Sequence, residues 1–576
     1  MYQPQNRAWE KLSLYFPFPA LKTVTALLLL LLAGCSTIPT TGPVYLQSPG
    51  ALAETYYDVN IPTHDGKLLR ATIFQPKLKA GESAPVILHA HGFGVFRMSA
   101  PISIYGTLIY AGKAAKEAWR QGYWVISYDE RGHGGSEDII RVMHPEHEVK
   151  DVSTIIDWAQ HNLHRVKRDS NNDPFIGIIG ESYGGGAALM GSAADSRIDA
   201  IVPVTTWHDF QNGLAPNQVP KSGWLTTLII AGNTLNPGNM DPLLNEAYWQ
   251  ARDGIVGKEI FEYLSPHTTN HNCKQGLYPN ADTFFVQGFR DVLFPVNEGI
   301  LNRECLLKAG KDIRFVGTQG GHLLPFTQWS LIPGYTVEDE VYCGDQKLNM
   351  IQAAVSWFDE KLKGIPGAAD AIPNMCLTQG YDKGIVVDNI QRGGEAFDFT
   401  GLGISSGFAG LFESPLYLFD QIAGLMMPRM KNPNLEDHSN LSGVGRPAFY
   451  PLKTFNKATG MTGIPTLKIN IDAEDDEEPI VFIGIAVKRA SSRHIELINQ
   501  QITPLRGKGR HTVDMMAIST ELEPGDIVGI YAASYNNQYR FSGPGWFSGA
   551  SLSGEIEVPF LPPTLSPQTG ADLADR

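Results

Sequence analysis

Residues 180–184, Gly-Glu-Ser-Tyr-Gly, place a serine between two glycines. An apolar run precedes them at residues 175–179, and a stretch of small residues typical of a close-packed helix follows at 185–194. A strand, a sharp turn and a helix in this order form a nucleophile elbow, in which the turn lifts the serine hydroxyl above the edge of a sheet. The glycines let the backbone approach closely around a strained serine. We therefore predict that Ser182 is a nucleophile.

A serine hydroxyl needs a neighbouring base, and the base needs an acid that orients it. Asp291 follows a predicted strand at residues 283–288, and His322 follows another at 313–317, in the run Gly-Gly-His. Both come after the serine, in the order serine, acid, histidine that nucleophile-elbow hydrolases use. The sequence therefore predicts a catalytic triad of Ser182, Asp291 and His322 that hydrolyses an ester or an amide.

Four other residues compete for the roles of acid and base, and each is less well placed. Asp282 begins the predicted strand instead of following it, and Glu298 lies beyond Pro295. His267 and His271 precede the acid and would break the expected order.

The tetrahedral intermediate of acyl transfer needs backbone amides aimed at its oxyanion. The amide of Tyr183 lies at the start of the helix that follows the elbow, which is the usual place for one donor. The second donor is expected after the strand at residues 86–90, where the run His-Ala-His-Gly-Phe-Gly ends. We predict that it is the amide of Phe93 or Gly94.

Two other polar groups are interpreted as structural. The loop at residues 128–136 follows a strand, and we expect Asp129 and Arg131 to pair there and brace the site. His144 and His147 have a spacing that could bind a metal, but no third ligand accompanies them. They are expected to flank the start of a helix, so we predict no metal and no organic cofactor.

These residues need a parallel sheet to bring them together. Continuous apolar runs, such as residues 86–90 and 124–128, are typical of strands that are covered on both faces. Helical stretches, such as residues 149–163, lie between successive runs of this kind. This alternation predicts an α/β domain over residues 53–372. The segment at about 206–272 interrupts the alternation with tryptophans and prolines, and we predict that it forms a helical cap over the site.

The pattern changes after residue 372. Short alternating runs, such as 466–471, 513–518 and 552–558, are separated by Gly, Pro and Asp turns. Many short strands without helices predict an all-β domain, a sandwich or jelly roll, over residues 373–562. Residues 563–576 are predicted to be a disordered tail.

The N-terminus has the features of a secretion signal. Basic residues precede an apolar stretch that contains six consecutive leucines and ends in the run Leu-Ala-Gly-Cys at residues 32–35. This run resembles the bacterial lipobox, which implies removal of residues 1–34 and a lipid on Cys35. Residues 35–52 then form a tether, and the protein is exported and held in the cell envelope, at the outer membrane if the cell has two. The alternatives are a signal anchor and cleavage elsewhere.

Four cysteines remain besides Cys35, and an even number in an oxidising compartment predicts two disulfides. The pairing of neighbours in the sequence, one of three connectivities, would join Cys273 to Cys305 and Cys343 to Cys376. The alternative is four buried free thiols.

The motifs together resemble the X-Pro dipeptidyl-peptidase and cocaine-esterase group. The resemblance rests on residues 91–94, 129–132, 156–158 and 180–184, together with Asp291 and His322, followed by a β-rich domain. It implies an α/β-hydrolase fold with a helical cap and a C-terminal jelly-roll-like domain. It also implies acyl ester or peptide hydrolysis through an acyl-enzyme. Members of this group often supply the oxyanion hole with a tyrosine hydroxyl where this chain has Phe93, so a backbone amide must replace that donor.

We therefore expect a serine hydrolase that acts on a small ester or amide or a short peptide. No acidic residue for a substrate's free amino group is apparent, which favours a carboxylic ester hydrolase over a peptidase. The alternatives are an X-Pro dipeptidyl peptidase and a non-catalytic cell-surface binding protein. A net charge of −14 without a long basic run argues against a nucleic-acid partner. The oligomeric state is not predicted.

Overall fold

The computed structural model describes residues 50–322, 337–380, 382–404, 447–474, 476–491, 495–539 and 549–562. The predicted signal peptide, Cys35, most of the tether and the predicted disordered tail at residues 563–576 lie outside these ranges. Within them, the helices are all too short or too polar to cross a lipid bilayer.

A mixed ten-stranded sheet forms the centre of the first domain. Its strands are β1 (Thr55–Pro62), β2 (Leu68–Gln75), β3 (Val86–Ala90), β4 (Trp124–Tyr128), β5 (Ile176–Glu181), β6 (Ile198–Val204), β7 (Asp282–Arg290), β8 (Ile313–Gly321), β11 (Met375–Thr378) and β12 (Gly384–Val386). A separate hairpin of β9 (Glu340–Cys343) and β10 (Gln346–Asn349) lies between β8 and β11 in the sequence. The strand order is β1-β2-β4-β3-β5-β6-β7-β8-β11-β12. Strands β3 to β8 and β11 run parallel, so the turns after β5, β7 and β8 meet at one edge.

Helices cover both faces of this sheet, which explains the continuous apolar character of its central strands. The helices outside the cap are α1 (Ile104–Leu108), α2 (Tyr110–Arg120), α3 (Lys150–Asn162), α4 (Tyr183–Ala194), α10 (Val296–Leu306) and α11 (Met350–Phe358). One apolar cluster joins sheet residues to α3, α4 and α10, and a second joins them to α2 and α11. The predicted α/β-hydrolase fold is confirmed.

Five helices lie between β6 and β7, in the segment predicted as the cap. They are α5 (Phe210–Leu214), α6 (Ser222–Leu235), α7 (Pro242–Arg252), α8 (Lys258–Leu264) and α9 (Thr269–Lys274). Asp209, Asp241 and Thr268 cap the first turns of α5, α7 and α9 with their side chains. Leu228, Ile229 and Leu244 are only partly buried, so the cap keeps apolar surface in contact with a cavity.

The C-terminal domain consists of antiparallel sheets, as predicted, with a main apolar core and a smaller apolar cluster that includes Val219 of the cap. Its strands are β13 (Glu395–Ile404), β14 (Ala448–Thr454), β15 (Thr459–Gly463), β16 (Thr466–Ala473), β17 (Ile480–Lys488), β18 (Ile495–Leu497), β19 (Thr503–Arg506), β20 (Gly509–Asp514), β21 (Ile518–Leu522), β22 (Ile527–Ala533) and β23 (Ala550–Val558). One sheet has the order β13-β23-β16-β20, a second contains β14, β22, β17, β18 and β19, and β15 pairs with β21.

Two details of the predicted domain organisation are wrong. The α/β domain does not end at residue 372, because β11 pairs in parallel with β8 and β12 pairs with β11 in the central sheet. The predicted strand at residues 513–518 is two strands: β20 ends at Asp514 and β21 begins at Ile518 in another sheet. The alternation of apolar and polar residues does not show which sheet a short strand joins, or where one strand ends and the next begins in another sheet.

The predicted disulfide pairing is confirmed. Cys273 bonds to Cys305 with a Cα–Cα distance of 6.2 Å, and Cys343 bonds to Cys376 at 5.4 Å. The first bond ties α9 of the cap to α10, and the second ties β9 to β11. Both covalent links therefore lie within the α/β domain.

Candidate active site

The elbow between β5 and α4 holds Ser182 in a strained conformation, with φ of 57° and ψ of −110°. Both flanking glycines are required by close packing. A Cβ on Gly180 would lie 2.2 Å from the carbonyl oxygen of Gly184, and one on Gly184 would lie 2.1 Å from the carbonyl oxygen of Ala90. The Ser182 amide donates to the carbonyl of Val204 (2.8 Å), which anchors the turn to β6.

The structure brings the three predicted triad residues together. Nε2 of His322 lies 2.8 Å from Oγ of Ser182, and its Nδ1 lies 2.8 Å from Oδ2 of Asp291. The rings of Trp224 and Phe294 meet the His322 ring edge to face, with centroids 5.8 and 5.5 Å away. This is the geometry in which a histidine can take a proton from a serine hydroxyl while a carboxylate orients the ring.

Residues 289–294, which we call the acid loop, fix the carboxylate of Asp291. Its Oδ1 accepts hydrogen bonds from the amides of Leu293 (2.9 Å) and Phe294 (2.8 Å), so Oδ2 is left to face His322. Asp291 is fully buried. The orientation of the Asp291 carboxylate towards His322 therefore depends on the conformation of the acid loop.

Three buried side chains from three parts of the chain hold that loop by donating to its backbone carbonyls. The bonds run from Gln501 to Phe289 (2.7 Å) and Asp291 (3.0 Å), from Lys221 to Leu293 (2.8 Å), and from Gln287 to Phe294 (2.5 Å). Gln501 belongs to the C-terminal domain, Lys221 to the cap and Gln287 to β7. The cap and the C-terminal domain thus both support the acid of the triad.

Lys221 is a lysine with almost no exposed surface, 1% of the maximum for the residue. Burial lowers its pKa to about 8, and the nearby carboxyl groups of Asp291 and Glu298 oppose that shift. Because a buried amine needs a partner, the hydrogen bond to the Leu293 carbonyl also satisfies Lys221 itself.

We expect replacement of Gln501 by Met to lower kcat about tenfold, with a smaller change in KM. The variant leaves two buried carbonyls of the acid loop without their donor, which costs about 1–3 kcal/mol of folding stability and loosens the acid. Steady-state kinetics and thermal unfolding measure the two effects separately.

The matched control for that variant is Gln379→Met. Gln379 is also buried and donates across the domain interface to Oγ1 of Thr462 (3.1 Å), but it does not contact the acid loop. Equal losses of kcat in the two variants would mean that Gln501 acts only through general stability.

The competing acids and histidines have other partners. Asp282 lies at the opposite end of β7 from the acid loop and accepts from the amide of Asp312 (3.0 Å). Glu298 accepts from the amides of His208 and Asp209, and burial raises its pKa to about 7. Neither carboxyl group is hydrogen-bonded to His322 among the bonds of the described residues.

The competing histidines lie in the cap. Nδ1 of His267 bonds to the carbonyl of Val142 (2.9 Å), and Nδ1 of His271 faces Oγ of Ser265 (3.3 Å). Their contacts are internal to the cap and to the loop beneath it, so they have structural roles.

The predicted oxyanion donors divide into two kinds. In the described part of the chain, the amides of Tyr183 and Phe93 have no hydrogen-bond acceptor. The prediction for Gly94 is wrong, because φ of +76° turns its amide towards Nε2 of His133, to which it donates (3.1 Å). Burial holds the pKa of His133 well below its ordinary value, which keeps the ring neutral and able to accept.

The predicted ion pair between Asp129 and Arg131 is also wrong. Asp129 bonds to the guanidinium of Arg97 (2.6 Å) and accepts from the Arg97 amide (2.7 Å). Arg131 is fully buried and instead bonds to a set of three aspartates: Asp65, Asp138 and Asp151. The loop braces the site as expected, but through partners distant in sequence.

One group of metal-ligating side chains occurs among the described residues: Asp65, Asp138 and His147. The guanidinium of Arg131 already bonds to both carboxylates, at 2.7 and 2.9 Å. His144 caps the turn at Pro145–Val149 by accepting from the Glu146 amide (3.1 Å). The local charge is balanced by arginine, and the histidines lie at the helix start as predicted.

An apolar cavity of about 110 Å³ opens over Ser182. It is enclosed by the elbow, the acid loop and the cap, and nearly all of its lining is aliphatic or aromatic. The lining residues are Phe93, Val142, Ser182, Tyr183, Trp207, Phe210, Leu214, Ala215, Leu225, Leu228, Ile229, Met240, Leu244, Ala247, Val256, Ile260, Phe261, Leu264, Leu293 and Phe294.

Sequence reasoning missed Lys221, Gln287 and Gln501. Lys221 had a weak signal, because it is a lone charge before the apolar helix of the cap. The two glutamines had no signal, because glutamine is common in strands and turns, and its role becomes apparent only when its hydrogen-bond partner is known.

Residues 65–322 match the family model described as X-Pro dipeptidyl-peptidase (S15 family). The matched segment begins in the β1–β2 turn and ends at His322, so it contains the elbow, the acid loop and the cap. The match supports an enzyme of the hydrolase class, in the group that the motifs resemble.

Two curated Escherichia coli proteins, both described as an uncharacterized 31.7 kDa protein in the traX-finO intergenic region, are 29% identical over 126 residues. The match covers 22% of this chain and 38% of each relative's length.

Solved structures with the same fold cover nearly the whole chain at low sequence identity. A CocE/NonD family hydrolase from Staphylococcus aureus is 13% identical with a TM-score of 0.57, over 88% of this chain and 94% of its own. An aminopeptidase from a marine sediment Thaumarchaeota archaeon is 13% identical with a TM-score of 0.59, over 92% and 99%. An α-amino acid ester hydrolase is 14% identical with a TM-score of 0.59, over 91% and 100%. At these identities the likeness shows the fold alone.

Proposed function

We propose that this protein is a serine carboxylic ester hydrolase that works through an acyl-enzyme. One observation carries the proposal: Ser182, His322 and Asp291 are joined by two 2.8 Å hydrogen bonds beneath an apolar cavity. The strained elbow and the unsatisfied amides of Tyr183 and Phe93 support the same chemistry.

In the first half-reaction, Oγ of Ser182 attacks the ester carbonyl and Nε2 of His322 takes the hydroxyl proton. The amides of Tyr183 and Phe93 stabilise the oxyanion, and Asp291 stabilises the imidazolium. Collapse of the intermediate breaks the bond to the alkoxy oxygen, which leaves as the alcohol with the proton from His322. The acyl group remains as an ester of Ser182.

In the second half-reaction, His322 takes a proton from water while the water oxygen attacks the acyl carbon. The second tetrahedral intermediate uses the same two amides. Its collapse returns the proton to Ser182 and releases the carboxylic acid, so one ester and one water give one acid and one alcohol.

The lining of the cavity favours an ester over a dipeptide amide. Within the described ranges it carries no acidic side chain that could neutralise a substrate's free amino group. Burying an unpaired ammonium costs several kcal/mol. The family match to X-Pro dipeptidyl-peptidases is the observation that favours that activity as the second candidate.

An assay of two substrates in parallel tests this choice. We expect the protein to hydrolyse p-nitrophenyl butyrate and to leave Gly-Pro p-nitroanilide intact. Efficient anilide cleavage would establish the peptidase instead. A protein that hydrolyses neither substrate and is not labelled by a fluorophosphonate would be the non-catalytic binding protein.

We further propose that the protein is exported and anchored by a lipid on Cys35. The basic and apolar leader, the run Leu-Ala-Gly-Cys and the two disulfides support this. Metabolic labelling with an alkyne fatty acid should mark the full-length protein and fail in Cys35→Ala. Equal labelling of both would disprove the anchor.

A further inference from the structure

We propose that the cavity over Ser182 holds the acyl chain of the substrate, and that the preferred substrates are esters of medium-chain fatty acids. The inference rests on the proposed ester hydrolase and names its substrate class.

The cap presents three apolar helix faces to the cavity. Lining residues recur at helical spacing on α6 (225, 228 and 229), on α7 (244 and 247) and on α8 (260, 261 and 264). Such faces normally pack against one another or against a sheet. Here Leu225, Leu228, Ile229 and Leu244 line the cavity and are only partly buried, so part of their apolar surface is left uncovered by the protein. An apolar ligand that filled this space would complete the packing.

The floor of the cavity is aromatic around the nucleophile. Trp207 stacks on Phe210 with ring centroids 4.6 Å apart and meets Phe294 at 5.5 Å. Phe93 meets Tyr183 edge to face at 5.8 Å. These rings give the first atoms of an acyl chain an apolar surface directly beside the Ser182 hydroxyl.

The position of the histidine assigns the cavity to the acyl side of the ester. The leaving alcohol receives its proton from His322, so it must lie against that ring. The described lining contains Ser182 and the proposed oxyanion donors Tyr183 and Phe93; His322 is not among the lining residues, although its ring meets that of Phe294, which is. The group that enters the cavity is therefore the one that stays bonded to Ser182.

The described lining of the cavity offers no charged partner to a polar acyl group. Lys221 of the cap and Glu298 of α10 are two buried ionisable groups nearby, and neither contributes to the lining. Lys221 donates a hydrogen bond to the acid loop, and Glu298 accepts hydrogen bonds from the amides of His208 and Asp209. A sugar acid or an amino acid would find no partner among the described lining residues.

The test is a series of p-nitrophenyl esters, from acetate through butyrate and hexanoate to octanoate, each kept below its solubility limit. Each buried methylene contributes up to about a fourfold gain in transition-state binding. We expect kcat/KM to rise along the series, by at least about thirtyfold from acetate to octanoate.

A cavity-filling variant and its control localise the effect. Ala247→Phe places a ring into the cavity from α7 and should lower the ratio of octanoate to acetate kcat/KM at least about tenfold. Glu246→Phe places the same ring on the exposed side of that helix and should leave the ratio unchanged. Thermal unfolding and fluorophosphonate labelling show whether each variant is folded and active.

The outcomes separate the two proposals. A flat or falling series in an enzyme that labels with fluorophosphonate and turns over acetate would overturn the acyl-chain site but keep the hydrolase. A gain with alcohol length but not with acyl length, measured with alkyl acetates, would mean that the cavity holds the alcohol. Failure of both labelling and ester turnover would refute the proposed function itself.

Discussion

Replacement of Ser182 by Ala is expected to lower kcat for ester hydrolysis by a factor of about 10⁴ to 10⁶. The variant removes the hydroxyl oxygen that would form the acyl-enzyme. The backbone conformation at residue 182 stays the same, since Ala carries a Cβ as Ser does. Folding stability should therefore change by less than about 1 kcal/mol. Stopped assays at high enzyme concentration, together with thermal unfolding, measure both quantities.

The matched control is Ser192→Ala in α4, the helix that follows the elbow. Ser192 is also buried, and its hydroxyl donates to the carbonyl of Leu189 (3.1 Å), away from His322. This variant should keep nearly full activity and covalent labelling. Retention of more than a small fraction of activity in Ser182→Ala would show that another group is the nucleophile.

Replacement of Asp291 by Asn should lower kcat about 10⁴-fold. The amide oxygen can still accept from the Leu293 and Phe294 amides, so the acid loop keeps its conformation. The NH₂ group then faces Nδ1 of His322 and forces the proton onto Nε2, where it cannot accept from Ser182. The histidine is held in the wrong tautomer, and the imidazolium loses its counter-charge. Kinetics at saturating substrate show the loss in kcat with KM little changed.

Two substitutions of competing acids serve as controls. Asp282→Asn keeps an acceptor for the Asp312 amide, and Glu298→Gln keeps one for the amides of His208 and Asp209. Both should retain activity within about tenfold, because neither carboxyl group orients His322. A loss in Glu298→Gln as large as in Asp291→Asn would mean that the acid of the triad has been misassigned.

The sequence was a good guide to features that depend on neighbouring residues. The elbow is readable because a strand, a turn with two glycines and a helix follow one another without a gap. The packing shows why these residues are required: at Gly180 and Gly184 the backbone leaves no room for a Cβ. The disulfide pairing of cysteines that are neighbours in the sequence, one of three possible connectivities, was also confirmed, with separations of 32 and 33 residues.

Features that depend on distant partners were predicted poorly. Asp129 and Arg131 are two residues apart in a loop and have opposite charges, yet each pairs elsewhere. Gly94 is next to a predicted oxyanion donor, but its positive φ directs its amide to His133. Strands β11 and β12 were assigned to the wrong domain because the sequence of a short strand does not indicate which sheet it joins.

The sequence by itself indicated the chemistry that we propose: which serine, which acid and which histidine, and their order along the chain. These follow from local conformation and from the rule that parallel strands end at one edge of a sheet. Only the tertiary structure decided what surrounds them. The apolar cavity is assembled from four cap helices and several loops, and the bond from Gln501 to the Asp291 carbonyl spans 210 residues. Such contacts depend on how whole elements pack, and that information does not lie in the spacing of residues along the chain.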